Sequence, residues 1–387
     1  MSVRDAKDIM TGKAKKQDDD GVVVGLPGAE EEVSTYRPID LSSVSTEPVI
    51  ADLLEREDAV SLFYRGRINW LFGQPESGKT WVASLVAKQV LDAGGTVAWF
   101  DMEDTPQTFL ERMTSLGVDR AVIIDQERVR YAQPHEPLFS GDRVWAKNAG
   151  EIAAFMAWGP DLVVFDACAE SMSLEGKSIS NNDDVTDWIT KVIKPWTHVG
   201  SAVLVIDHLP KSDENRNDRY PIGGQHKLSG LDGSAIRTNM VQKFGRNMGS
   251  TDEVLRGIVR LTVTKDRSGG VRGPIIQNGG DDPDAAGELV LDIQSNGAIG
   301  AFIREADASQ LERKEQYAAE VIKDVITVLN EVGVSSGNAL FAALTSEPFS
   351  WKLGKEKVKG FLELGVAKGW ISVEDGPRNA KLYSTNK

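Results

Sequence analysis

Cysteine is nearly absent: Cys168 is the single one in 387 residues. No internal disulfide can form, and a reducing, cytoplasmic setting is the expectation. The four histidines, His135, His198, His208 and His226, show no ligand spacing, which argues against a zinc centre. No apolar run approaches the roughly 20 residues of a bilayer span. The N-terminus, with Asp5 and then Asp18, Asp19 and Asp20, lacks the basic-then-apolar order of a signal peptide, so no membrane partner is expected. Positive charge is scarce as well. With 44 Lys+Arg against 58 Asp+Glu, the net charge of −14 argues against a protein that coats nucleic acid through charge alone. Residues 310 to 387 hold 11 basic and 10 acidic side chains, so the first 309 carry −15. Nucleic-acid contacts in that larger part would need local basic loops on an acidic body. No internal repeat is present.

What remains is ordinary soluble composition, 41% hydrophobic and 26% charged, at a length that suits two or three units. One stretch organises it. An apolar run, Ile68 to Phe72, leads into Gly73-Gln74-Pro75-Glu76-Ser77-Gly78-Lys79-Thr80, and a helical pattern starts at Trp81. Strand, glycine-bounded loop and helix in that order form a phosphate-binding loop. Gly73 and Gly78 let the backbone turn its N–H groups inward, and the helix adds its positive end. Lys79 supplies a mobile charge for β- and γ-phosphates, and the Thr80 hydroxyl can ligate Mg²⁺.

Downstream, Thr96 to Phe100 reads as a buried strand that ends in Asp101-Met102-Glu103-Asp104, before Thr105-Pro106 and another helix. Carboxylates at such a strand end can orient or deprotonate a water attacking the γ-phosphate; Asp104 alternatively caps the helix. Pro160 to Asp166 is a strand ending in an acid suited to hold Mg²⁺, with Thr80. Ala167 follows it, so the hydrolytic carboxylate must come from elsewhere, which points to Glu103. Ala202 to Ile206, another strand, ends in Asp207-His208, where His208 is either a γ-phosphate sensor or a surface histidine.

With these motifs in place, the chain resembles the RecA-type P-loop ATPases. Within them it is most similar to the RepA-like branch of ring-forming replicative helicases found on plasmids and phages. The residues that carry the resemblance are the phosphate loop, Glu103-Asp104-Thr105-Pro106, Asp166, Asp207-His208 and Lys265-Asp266-Arg267-Ser268-Gly269, spread over residues 46 to 306. It implies an α/β, RecA-like ATPase core with a mainly parallel sheet, using ATP and Mg²⁺. It also implies that Glu103 activates water and that Lys265 and Arg267 reach the nucleotide of a neighbouring subunit in a homo-oligomeric, hexameric ring. Read alone, Lys265 and Arg267 are strand-end charge beside a Ser268-Gly269-Gly270 hairpin turn.

Two segments, Ala169 to Asp184 and Leu209 to Leu231, stand where such proteins carry mobile loops facing a channel. The second contains Lys211, Arg216, Arg219 and Lys227, enough to hold single-stranded DNA by its phosphates; a surface insertion is the alternative. Residues 1 to 45 read as a disordered arm. Val49 to Tyr64 shows a short helical pattern, either a docking arm or a core cap. Residues 310 to 387 read as three helices and a hairpin, a winged-helix-like α+β domain that could meet DNA or replication proteins. The expected activity is a Mg-ATP-driven helicase or translocase on single-stranded DNA. A filament-forming recombination ATPase and an ATP-switched loader or initiator are the alternatives.

Overall fold

The computed structural model describes residues 38–138, 142–209, 224–244, 255–278, 282–306, 308–377 and 380–385, with backbone alone for 142–147, 224–226 and 308–316. The chain divides into two compact units, one running to Ala306 and one starting at Asp307. The first begins with a hairpin of β1 (Leu53–Glu55) and β2 (Ser61–Phe63). It is built on a nine-stranded sheet of β3 (Ile68–Gly73), β4 (Val97–Asp101), β5 (Val129–Ala132), β6 (Leu162–Asp166), β7 (Ala202–His208), β8 (Ser234–Gln242), β9 (Leu255–Asp266), β10 (Ala285–Ile293) and β11 (Ile299–Arg304). Their order across the sheet is β11-β10-β9-β8-β3-β7-β6-β4-β5. From β8 to β5 every pairing is parallel, and β9, β10 and β11 add an antiparallel flank.

The parallel strands are covered on both faces, which is why they read as unbroken apolar runs. Alternation still sorts their side chains. Leu71, Trp99 and Val164 join the core under α1 (Lys79–Asp92), α2 (Pro106–Ser115) and α3 (Arg120–Ile124). Trp70, Phe72, Phe100 and Phe165 face α4 (Asp142–Trp158), α5 (Cys168–Leu174) and α6 (Asn182–Trp188), which continues through a π turn into α7 (Lys194–His198). Trp70, Phe165 and Trp188 meet edge to face there.

The structure departs from the sequence reading in four places. Val49 to Tyr64 is not helical. Its apolar residues come as adjacent pairs, Leu53-Leu54 and Leu62-Phe63, separated by Glu55-Arg56-Glu57-Asp58, so no continuous helical stripe exists, and the chain reverses with Arg56 N–H bonded to Val60 O at 2.9 Å. The hairpin nonetheless caps the core, with Leu54, Leu62 and Phe63 buried. Residues 169 to 184 hold most of α5, a connection over 175–181 and the start of α6, and Cys168, Met172, Val185 and Trp188 of the two helices are all buried. Of the segment from Leu209 to Leu231, residues 210–223, with Lys211, Arg216 and Arg219, lie outside the described residues, and α8 (Gly224–Ser229) follows. Finally, β9 does not turn back in a tight hairpin: α9 (Arg272–Gln277) stands between it and β10.

The second unit contains α10 (Ala308–Val332), β12 (Val334–Ser336), α11 (Gly337–Thr345), α12 (Lys355–Ala367), β13 (Ile371–Asp375) and β14 (Lys381–Thr385). Its antiparallel sheet has the order β12-β14-β13, and Ile322, Val325, Leu329, Leu340, Leu362 and Ile371 fill its core. Gly365 lets α12 approach α10, since a Cβ there would stand 2.9 Å from Ile322 Cδ1. Among the described residues of the whole chain, no helix is long and apolar enough to cross a membrane.

Candidate active site

Parallel register gathers the site. Gly73 pairs with His208 across β3 and β7, and Asp101 pairs with Asp166 across β4 and β6, so the loops after all four strands leave the same edge of the sheet. The first of these is Gly73 to Thr80. A Cβ on Gly73 would lie 2.2 Å from Thr238 Oγ1 and 2.4 Å from Ser77 Oγ, so only glycine admits the hydroxyl pair Ser77–Thr238, itself 2.6 Å apart. Gly78, at φ +87°, adopts a left-handed conformation as the cap of α1, and a Cβ there would strike Val259 Cγ2 at 2.5 Å. The loop is therefore pinned from below by β8 and β9.

Lys79 curls over this loop, its Nζ donating to Gly73 O at 3.2 Å and Gln74 O at 2.9 Å and standing 3.3 Å from His208 Nδ1. Burial lowers its pKa, against the pull of Glu103, Asp166 and Asp207. On its other nitrogen, His208 Nε2 lies 2.8 Å from Glu103 Oε1. That bond, ahead of the opposing effect of burial, holds the Glu103 carboxyl below its usual range, so the candidate base is ionised. Asp101 does not compete with it for the water. Its Oδ1 accepts the N–H groups of Glu103 at 3.1 Å and Asp104 at 2.8 Å, shaping the turn that presents Glu103. Asp104 pairs with Arg112 at 3.0 Å, and the cap of α2 is Thr105, whose hydroxyl accepts from Thr108 N, rather than Asp104.

Asp166 is 2% exposed, and burial, followed by the charges of Asp101 and Glu103, pushes its pKa up to about 7. Thr80 bonds its carboxyl. Asp166 Oδ1 and Asp101 Oδ2 are buried with no hydrogen-bond partner. Two orphaned carboxylate oxygens beside a hydroxyl are the oxygen-rich, charge-crowded surroundings that a Mg²⁺ ion relieves, so Thr80 and Asp166 fit that ion. The adjoining cleft, about 590 Å³, is lined by Pro75 to Trp81, Glu103, Arg112, His208 and, from β8 and its end, Met240, Lys243 and Phe244. Trp81 and Phe244 meet edge to face, 5.9 Å between centroids, beside the loop.

Lys227, read from the sequence as a DNA contact, is fully buried in α8, with Nζ 2.7 Å from Asp207 Oδ2. Burial alone would lower its pKa, but Cys168 and Asp207 hold it above the ordinary value. Phosphates cannot reach it. Lys265 is likewise turned inward, donating to Leu228 O and, at 2.9 Å, to Leu231 O at the C-terminal end of α8, where helix carbonyls run out of intrahelical donors. It is no free finger. Arg267 is exposed, and its turn is rigid, since Asp266 accepts from Tyr64 Oη at 2.5 Å and from the N–H groups of Gly269, Val271 and Arg272. That turn is far from the phosphate loop of its own chain. Val259 abuts Gly78, and Arg267 lies eight residues further along β9 and just beyond it, about 27 Å at strand rise. Sequence reading missed Glu170, beside Glu103 and His208, and the roles of Arg112 and Thr238; only proximity in the fold reveals them.

Two outcomes follow from these placements. Folded protein keeps the Asp166 proton up to about pH 7 whereas the unfolded chain loses it near 3.8, so Asp166 costs stability progressively as pH rises between these values. In EDTA, Asp166→Asn should therefore gain Tm over the parent by a margin that grows from about pH 5 to about pH 8. A margin constant with pH would contradict the crowding of Asp166. Lys227→Ala should strand the Asp207 charge and cost about 3–5 kcal/mol in urea unfolding. An unchanged urea midpoint would return Lys227 to the surface.

A family model described as an AAA domain matches residues 35–214. No curated protein matches the chain. The matched span contains the phosphate loop, Glu103, Asp166 and His208. Together with the mixed, mostly parallel sheet, the match supports a P-loop ATPase core in the first unit.

Proposed function

We propose that the protein is a Mg-ATP-dependent motor that assembles as a ring, of hexameric type, and translocates on single-stranded DNA to unwind duplex in replication. The observation that carries this reading is the position of Arg267: exposed, on a rigid turn, at the opposite end of the sheet from its own Lys79. An arginine so placed is out of reach of its own phosphate loop, so the role we propose for it is in trans, in the active site of another copy, where its guanidinium would stabilise charge on the transferred phosphoryl.

In such a site, Lys79 leaves the carbonyls of Gly73 and Gln74 for the phosphates, and Glu103, ionised and aimed by Asp101 and His208, takes a proton from the attacking water. Mg²⁺ held by Thr80 and Asp166 would neutralise phosphate charge. His208 then connects the chemistry to DNA. It closes β7, and the next residues include the basic Lys211, Arg216 and Arg219, so a change at the Glu103–His208 bond can be passed to that segment. The second unit, three helices with a three-stranded sheet, has the order of elements of a winged helix and suits a DNA or replication-protein contact.

Lys79→Ala should lose ATP turnover through loss of a phosphate counter-charge, and Glu103→Gln should bind ATP but stop hydrolysis. Arg267→Ala should also bind without hydrolysing. Mixed together, the Glu103→Gln and Arg267→Ala chains should regain turnover, because some interfaces pair an intact site with an intact arginine. Mixed assemblies visible by mass photometry but inactive would rule out the arginine in trans. Strand displacement on forked DNA tests the motor itself. High turnover in Arg267→Ala alone would favour an ATP-switched loader or initiator, and filaments with a nonhydrolysable analogue a recombination ATPase.

A further inference from the structure

Glu103 and His208 have a third neighbour. Glu170 lies in the first turn of α5, and one ligand atom from each of Glu103, Glu170 and His208 lies within 4.8 Å of the others. His208 Nε2 and Glu103 Oε1 are already 2.8 Å apart, and Glu170 Oε2 is buried with no hydrogen-bond partner. Burial, then the charge of Glu103, raises the Glu170 pKa, against the opposing pull of His208. The three residues come from the turn after β4, from α5 and from the end of β7. Histidine spacing along the chain could not reveal such a convergence.

Two carboxylate oxygens and an imidazole nitrogen form a mixed donor set. Mg²⁺ favours oxygen alone, whereas Zn²⁺ takes nitrogen and oxygen together and leaves a fourth tetrahedral position open. Metal–ligand distances of about 2.1 Å put tetrahedral ligand atoms roughly 3.4 Å apart. To reach that, the Nε2–Oε1 pair at 2.8 Å must open by about 0.6 Å and a pair at the 4.8 Å limit must close by about 1.4 Å, shifts within the range of side-chain rotation. We infer that Glu103, Glu170 and His208 form a second cation site, distinct from Thr80 and Asp166, for a transition-metal ion of the Zn²⁺ type, and that filling it arrests hydrolysis. The arrest rests on the reading of Glu103 as the base: a carboxylate that ligates zinc is not free to accept a proton from water.

Lys79 opposes this site. Its Nζ stands 3.3 Å from His208 Nδ1, and when Nδ1 accepts that proton the ring carries hydrogen on Nε2, which Glu103 accepts. A metal needs the Nε2 lone pair, so the ring must change tautomer and Lys79 must withdraw. The ammonium charge also repels a cation. Removing Lys79 therefore favours the metal.

The experiment is calorimetric titration of ZnCl₂ into the full chain, stripped with EDTA and free of nucleotide. Expected is saturable binding that weakens by about tenfold or more in Glu170→Gln and in His208→Gln, the least that a supporting ligand contributes, and that is as strong or stronger in Lys79→Ala. Absence of saturable binding, or equal binding by the parent and both ligand variants with native circular dichroism, would overturn the site. With Mg-ATP, zinc should inhibit the parent over the range in which it saturates the site, and Glu170→Gln should need about tenfold more. Inhibition at equal zinc in both would overturn the arrest. A parent that hydrolyses no ATP even with zinc chelated would instead refute the role of Glu103 and leave the binding result standing.

Discussion

Everything at the candidate site depends on parallel pairing in fixed register. Because β3, β4, β6 and β7 run the same way, their C-terminal ends share one edge, and the pairs Gly73–His208 and Asp101–Asp166 fix which side chains meet there. A slip of one residue would send His208 to the other face of the sheet and bring Asp207 in its place. The cost is electrostatic. Register crowds Asp101, Asp166, Glu103 and Glu170 around a single buried lysine, Lys79, and three of the carboxylate oxygens find no donor. Such a site is incomplete without cations, and its acids are arranged for ligands rather than for stability.

The neighbouring residue on β7 shows the opposite arrangement. Asp207 is 1% exposed and fully engaged, accepting from Lys227 at 2.7 Å, from Trp70 Nε1 at 3.1 Å and from His208 N at 2.8 Å. A buried ion pair repays its desolvation only when the remaining lone pairs are bonded, as they are here. Its effect is positional: α8 is tied to the strand that ends in His208. Lys265 ties the end of the same helix to β9 through Leu228 O and Leu231 O. Residues 210–223 are thus followed by a helix anchored at both its lysine contacts, next to the catalytic cluster.

Much of this was legible in the sequence. Buried parallel strands, the phosphate loop and the acids at strand ends rest on local patterns, and Ile68 to Thr80, Glu103, Asp166 and His208 stand where those patterns put them. Failures have physical causes. β8 was invisible because Arg237, Thr238 and Asn239 interrupt its apolar face, although it is the strand that joins the parallel half to the antiparallel flank. Lys227 and Lys265 looked like ligand-binding cations because sequence records charge without direction; one is paired with Asp207 and the other caps α8. Glu170 gave no signal at all, since its partners lie 67 and 38 positions away along the chain.

The two ends of the sheet carry unlike equipment. One has the phosphate loop, Glu103 and Asp166; the other has Arg267 on a turn fixed by Asp266 and Tyr64. A two-fold dimer sets each residue i of one copy against j of the other and j against i, so it would pair Arg267 with a phosphate loop only if a single face carried both. If they stand on different faces, bringing Arg267 to a phosphate loop requires head-to-tail contact, in which each copy offers a different face to each neighbour. Such contacts close into a ring when the rotation between copies divides a full turn, and run on as a helix when it does not. Rings and filaments therefore differ here by the angle at one interface, not by the residues in the site. Under the proposed reading, the chemistry of Lys79, Glu103 and Arg267 would be common to both assemblies, and the surface surrounding the Arg267 turn would decide between them.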